Sequence, residues 1–206
     1  MRIITISREF GSGGRELGKR LAEYLGYDYY DSEIVSAVAK NSGLDSRYVE
    51  ENLSEHGWRN VPISFRGTLG SSAYIQASKI QLLLEQKRVI EKIAGLGKDF
   101  VIVGRNADVI LREYNPFNIF VYADEESKLK RCEERAPAGE NLTRKQLRRK
   151  MKEIDKTRAK TRMILSGTPW GERESYHLMV NTGDWPMGEL TITLGELIKR
   201  WFGGKA

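Results

Sequence analysis

A chain of 206 residues, 40% hydrophobic and 30% charged with a net charge of +6, has the size and balance of one globular domain carrying insertions. No apolar run approaches the ~18 residues of a membrane span, and Met1-Arg2 opens onto a strand-like segment without a basic-then-apolar leader. Cys132 is the single cysteine, so an intramolecular disulfide is excluded, a reducing cytoplasmic setting fits, and two histidines with one cysteine make no zinc constellation.

The first predicted element is a strand, Ile3 to Ser7, apolar and β-prone. It runs into Arg8-Glu9-Phe10-Gly11-Ser12-Gly13-Gly14-Arg15. Leu17, Leu21, Tyr24 and Leu25 then recur at helical spacing, with Glu16, Lys19, Arg20 and Glu23 on the other faces. Strand, glycine loop and helix together present backbone N–H groups and a helix N-terminus to a phosphate. The standard motif is G-x-x-x-x-G-K-[ST]. With Gly13 as the late glycine, Gly14 stands where the lysine belongs; with Gly14 as the late glycine, Arg15 does. On either alignment the lysine and the hydroxyl after it are missing. The backbone cradle survives, because it depends on glycine conformation. Arg8 and Arg15 can supply the charge, since guanidinium groups bind phosphate bidentately.

Gly26 is placed to cap that helix. Tyr27 to Tyr30 reads as a short strand ending at Asp31. Ser32 to Ala39 and Asp45 to Leu53 read as helical around an Asn41-Ser42-Gly43 break. Ser54 to Ser72 has no sustained period; so long a loop is more often a lid or binding element than filler. Ala73 to Ala94 is a long predicted helix, ended by Gly95 and Gly97. Phe100 to Val103 is a continuous apolar run, typical of a strand buried on both faces, and it stops at Gly104-Arg105-Asn106. Asn118 to Tyr122 is another strand. Asp124 caps a helix reaching about Arg135. Ala136 to Leu142 breaks the pattern, and Thr143-x-x-Gln146 is a capping-box signature opening a basic helix to about Leu165. Lys128 to Met163 holds 14 Lys/Arg against 5 Asp/Glu, leaving the rest of the chain slightly acidic. One basic face suits an anionic ligand, a nucleotide or a nucleic acid. Tyr176 to Val180 is the last strand, Asp184 with Pro186 starts a helix ending near Phe202, and Gly203 to Ala206 reads as a disordered tail.

Strands alternating with helices imply a parallel sheet covered on both faces, with ligands at the carboxyl ends of its strands. That rule selects Arg8 to Arg15, Asp31, and Gly104 to Asp108. Periodicity does not give the strand order.

On these residues the chain resembles the P-loop nucleoside monophosphate kinases, and most closely the cytidylate kinase-like proteins. That subgroup opens with S-R-E-F-G-S-G-G-R-E, which Ser7 to Glu16 reproduces. The resemblance implies a three-layer α/β P-loop NTPase fold over residues 1–206. It implies an NMP-binding insertion over about 41–95, and a lid with its basic helix over about 130–165. Tyr30-Asp31-Ser32 is similar to the segment that begins the monophosphate site. Val103-Gly104-Arg105-Asn106 is similar to a D-G-R-D segment whose arginine contacts substrate. The lid position brings Arg131 and Arg135 near phosphates, and Asp155-x-x-Arg158 is similar to a late D-x-x-R that binds cytosine nucleotide and phosphate. Arg162 lies one turn beyond Arg158. The departures are Val103 in place of an aspartate and the missing P-loop lysine and hydroxyl; Glu16, Asp31 and Asp108 are the candidates to hold Mg²⁺ through water.

The function this implies is phosphoryl transfer from ATP, with Mg²⁺, to CMP or dCMP. Gly11, Ser12, Gly13 and Gly14 cradle the donor phosphates with Arg8, Arg15, Glu16 and Arg131 around them. Asp31, Arg105, Asp155 and Arg158 bind the acceptor, and Arg15, Arg105, Arg158 and Arg162 stabilise the transferring group. A kinase of another small molecule and a nucleotide-binding module without turnover are the alternatives. A nucleic-acid interface on the Thr143–Leu165 helix fits less well, because its ten basic residues cover most of the circumference. His56 and His177 read as structural, Trp170 as a packing anchor and Cys132 as inert. Oligomeric state stays open.

Overall fold

The computed structural model describes residues 1–31, 74–136 and 142–204, with the backbone alone for residues 74–82. Five strands form one sheet: β1 (Ile3–Arg8), β2 (Asp28–Asp31), β3 (Phe100–Val103), β4 (Phe117–Tyr122) and β5 (Leu178–Asn181). Their order is β2-β3-β1-β4-β5, and every pairing is parallel. The helices are α1 (Gly14–Leu25), α2 (Tyr74–Gly95), a single turn α3 (Ala107–Ile110), α4 (Glu125–Glu134), α5 (Arg144–Ser166) and α6 (Met187–Gly203). The predicted helices within 32–53 and the long loop to Ser72 lie outside the described residues, as does most of the expected NMP-binding insertion.

The pleat of the central strands sorts the core into two layers, because successive side chains point to opposite faces. Ile4, Ile6, Val101, Val103, Ile119 and Val121 meet Leu17 and Leu21 of α1 and Leu190, Leu194 and Ile198 of α6. Ile3, Phe100 and Ile102 turn the other way and meet Val89, Ile90 and Ile93 of α2 with Leu111. That is why Phe100 to Val103 carries no polar position. A third cluster, Leu129, Cys132, Leu147 and Met151 with Phe10, joins α4 and α5 to the glycine loop.

Local signals set several boundaries. Asp124 Oδ1 accepts from Ser127 N at 2.8 Å, and the capping box at Thr143 and Gln146 is present in both directions. Two boundaries depart from expectation. β5 starts at Leu178, since Tyr176 and His177 are spent on packing: His177 Nδ1 accepts from Asn118 N at 2.9 Å, and its ring stacks on Phe117 and meets Trp201. The last helix starts at Met187 with Pro186 as its N-cap, three residues after Asp184. Trp170 anchors edge-on against Phe120, and Cys132 is buried.

Candidate active site

β1 ends at Arg8 in the middle of the sheet, and the chain turns through the glycine loop into α1. Gly11 and Gly13 both hold φ +78°, a left-handed conformation that side-chain-bearing residues rarely take. Gly13 is the N-cap of α1, so the loop delivers the N–H groups of the first helical turn, which have no intrahelical partner. The loop is fixed from three sides. Asp155 of α5 accepts from Phe10 N at 2.9 Å. Arg158 donates to the Arg8 carbonyl at 2.9 Å and to Asp155 at 2.8 Å, and its guanidinium lies over the Phe10 ring. Thr182, fully buried just beyond β5, donates its hydroxyl to the Ser12 carbonyl at 2.6 Å. Lys128 of α4 pairs with Glu9 at 2.7 Å, and Arg131 donates to both the hydroxyl and the carbonyl of Thr182.

Arginines define the electrostatics. Burial, with the charges of Arg158 and Arg105 added, pushes the pKa of Arg8 down to about 9; Tyr29 and Asp31 offset this only in part. A cation held uncomfortably among cations is relieved by an anion. Burial also lowers Arg158, against the pull of Asp155 and Glu9.

The second region is the turn after β3. Gly104, Arg105 and Asn106 hold φ of +85°, +56° and +52°. Two consecutive non-glycine residues in this region cost on the order of 1–3 kcal/mol each, a strain that clusters at binding sites. Arg105 is exposed there. Arg15 reaches to the end of β2, where its Nη2 lies 2.6 Å from Asp31 Oδ2. Beneath, Arg162 forms an ion pair with Asp108, and both are about 95% or more buried. Arg162 also donates to Thr168 Oγ1 at 3.1 Å, and among the described residues Asp108 Oδ1 has no hydrogen-bond partner.

The carboxyl ends of β1, β2 and β3 thus carry Arg8, the glycines, Asp31 and Arg105, and the α5 residues Asp155 and Arg158 reach the glycine loop from outside the sheet. Three placements differ from the sequence-based roles. Arg162 is paired with Asp108 and buried among the described residues. Asp155 and Arg158 hold the loop backbone here. Glu16 is bound to Arg135 and to Arg20. Of the candidates for Mg²⁺, Glu16, Asp31 and Asp108 are each paired with an arginine, and among the described residues no three His, Cys, Asp or Glu side chains converge. Lys128 and Thr182 escape the sequence reading. Thr182 has one available signal, its position directly after the last strand; Lys128 lies one turn before Arg131 and has no motif of its own.

A five-stranded parallel sheet between helices, with a glycine loop leading from its central strand into a helix, defines a P-loop-type kinase fold. The cytidylate kinase-like family matches residues 3–184, and the chain belongs to that family. An uncharacterized protein from Eubacterium ventriosum ATCC 27560 is 26% identical with a TM-score of 0.70, covering 97% of this chain and 99% of that one. A shikimate kinase from Acinetobacter baumannii, solved in complex with shikimate, is 14% identical with a TM-score of 0.52, covering 97% and 94%. A shikimate kinase from Bacteroides thetaiotaomicron is 13% identical with a TM-score of 0.55, covering 96% and 98%. The two shikimate kinases share the fold alone. No curated protein matches the chain. Among the described residues no helix is long and apolar enough to cross a membrane.

Proposed function

We propose that this chain transfers the terminal phosphoryl group of ATP to a nucleoside monophosphate, CMP or dCMP. The observation that carries the reading is the glycine loop: two left-handed glycines at the start of α1, with Arg8 under the combined charge of Arg158 and Arg105. Phosphoryl transfer asks for in-line positioning and charge neutralisation, with little covalent work by the protein. Backbone N–H groups of Gly11 to Gly14 hold the donor phosphates, with Arg8 and Arg131 supplying cationic charge. Arg105, on its strained turn, meets the acceptor phosphate. Arg15 and Asp31 shape the acceptor side as a pair, and Arg162 keeps that side in place through Asp108. Asp155 and Arg158 position the loop. Mg²⁺ arrives with ATP and keeps most of its waters.

A nucleic-acid interface on α5 draws less support. Arg144 and Arg148 are taken by Glu125, Glu126 and Glu133 of α4, and Arg162 by Asp108. The test is ADP release from Mg-ATP with CMP, dCMP, UMP, AMP, GMP and shikimate as acceptors. Release stimulated by CMP or dCMP, and lost in Arg105→Ala, supports the reading. Stimulation by shikimate alone would move the chain to another acceptor. Intact ATP binding without stimulation by any acceptor would favour a nucleotide-binding module without turnover.

A further inference from the structure

β1 has two neighbours, and they leave it at different points. The ladder with β3 ends at Ile6↔Val103, where Gly104 N still donates to the Ile6 carbonyl at 2.9 Å. At Gly104 the chain turns left-handed, with φ +85°. The ladder with β4 runs on to Arg8↔Val121, and Glu9 N donates to the Val121 carbonyl at 2.9 Å. Along a strand the backbone groups of successive residues face alternate neighbours, and a parallel partner bridges the carbonyl of residue i−1 and the N–H of residue i+1. With Ile6 facing β3 and Glu9 facing β4, the next pair on the β3 side is the Arg8 carbonyl and the Phe10 N–H. One more residue of β3 would bind both.

Two side chains of α5 bind them instead. Arg158 Nη1 donates to the Arg8 carbonyl at 2.9 Å. Both oxygens of Asp155 accept from Phe10 N, at 2.9 and 3.2 Å. The same Arg158 nitrogen donates to Asp155 Oδ1 at 2.8 Å, which joins the two side chains. They stand three residues apart, on one face of one helical turn. Together they present a donor and an acceptor at the positions where a backbone residue would present its own N–H and carbonyl. The ring of Phe10 lies under the Arg158 guanidinium and packs with Leu129, Leu147 and Met151, so the same residue is held by its side chain as well.

We propose that the Asp155–Arg158 pair is a side-chain extension of β3. It pairs with β1 one residue beyond the point where β3 leaves, fixes Glu9 between itself and β4, and sets the path by which the chain enters the left-handed Gly11. Asp155 and Arg158 are then positioning residues of the glycine loop, acting through a hydrogen-bond pattern, and the acceptor site is not theirs. Only the naming of ATP and CMP as probes rests on the phosphotransferase reading.

The experiment is site-resolved amide hydrogen exchange on the full chain, which needs no ligand, followed by calorimetric titration with ATP and with CMP. Thermal melts check folding. Asp155→Ala should lower the protection of Phe10 N–H, relative to Val101 in the core, by about 10–100-fold, the loss expected for a hydrogen bond to a charged group. Asp155→Asn keeps an oxygen for that N–H without the charge, and should hold protection within about 5-fold of the parent. In the titrations Asp155→Ala should weaken ATP by about 10-fold and CMP by less than about 3-fold. Folded Asp155→Ala protein in which Phe10 loses no more protection than Val101 overturns the inference. So does Asp155→Asn protein as unprotected as Asp155→Ala, because charge and not pattern would then hold the loop. So does a larger loss for CMP than for ATP. Should Asp155→Ala not fold, Asp155→Asn decides alone, and a drop at Phe10 beyond about 10-fold overturns the inference. A parent chain that binds neither ATP nor CMP overturns the phosphotransferase reading, and the exchange result still judges the extension of β3.

Discussion

Among the described residues, removing one side of the Asp108–Arg162 pair should be the most damaging polar change, and the two halves should not cost the same. Both side chains are nearly inaccessible, so neither charge can turn to water. Breaking a buried pair by deleting one partner typically costs about 3–5 kcal/mol, because the survivor is left uncompensated. The survivors differ. Without Asp108, Arg162 keeps Thr168 Oγ1 and the face of the Tyr176 ring at 5.7 Å. Without Arg162, Asp108 is left worse off: among the described residues its Oδ1 has no hydrogen-bond partner, and its Oδ2 loses the guanidinium. Arg162→Met should therefore sit near the upper end, about 5 kcal/mol, and Asp108→Leu near the lower, about 3 kcal/mol. Replacing both by apolar residues of similar volume should return stability to within about 1–2 kcal/mol of the parent, since the desolvation cost disappears with the charges. Urea titration followed by tryptophan fluorescence, with the m-value as the check on two-state behaviour, reads all three. If each single variant cost less than about 1 kcal/mol, the pair would be behaving as a solvated surface bridge and the argument from burial would be wrong. A double variant as unstable as the two singles summed would refute the claim that uncompensated charge is what hurts.

Other outcomes follow from the same geometry. Thr182→Val keeps the shape of the side chain but takes the donor from the Ser12 carbonyl and an acceptor from Arg131; it should cost about 1–3 kcal/mol in urea and weaken ATP binding as the loop loosens. An unchanged midpoint and affinity would mean the loop does not depend on β5. Burial raises the carboxyl of Asp155 above its ordinary 3.8, with Arg158 and the Phe10 N–H offsetting only part. The folded state then holds a proton the unfolded state has lost, in the interval from 3.8 up to the raised value. Within that interval the parent should gain stability over Asp155→Asn as pH falls, levelling off below 3.8. Glu16 has the opposite sign. Burial pushes it up, but Arg135 and Arg20 prevail and hold it below its ordinary 4.5. Its contribution is present above 4.5 and lost as pH falls through the lowered value, so the advantage over Glu16→Gln should shrink on acidification. Parallel pH profiles for these two variants would show that the shifts do not reach the folding equilibrium.

Much of the fold was legible because its signals are local. The alternation of apolar runs and capped amphipathic segments gave the parallel sheet, and the glycines after β1 and β3 marked the carboxyl ends of those strands. Strand order was not legible, since the side-chain pattern of a doubly buried strand is the same at any interior position in the sheet. The start of β5 was misplaced because Tyr176 and His177 look like strand residues and are recruited into aromatic packing by Phe120, Phe117 and Trp201, all distant in sequence. The site was legible as an inventory of arginines, but the partner of each was not. Arg162 follows Arg158 by one turn, and nothing local distinguishes an arginine that meets a ligand from one that meets Asp108 across 54 residues.

The basic helix shows what charge counting discards. Along α5, Leu147, Met151, Asp155, Arg158 and Arg162 share one face, apolar at its start and ionic at its end. That face reaches the glycine loop and the turn after β3 from a single rigid element. Arg144 and Arg148 turn sideways to the acidic first turn and last turn of α4. Lys145, Lys152, Lys156 and Lys160 are exposed. Arg149, exposed and paired with Glu153 on the same helix, joins the lysines on the back; for the buried arginines the partition follows the chemistry of the two cations. A planar guanidinium can satisfy a carbonyl, a carboxylate and an aromatic face at once, whereas an ammonium is most stable hydrated. Reading lysine and arginine as one charge made the helix look uniformly basic. Reading them separately divides it into a solvated back and a packed front, and places the front against the glycine loop and the segment after β3.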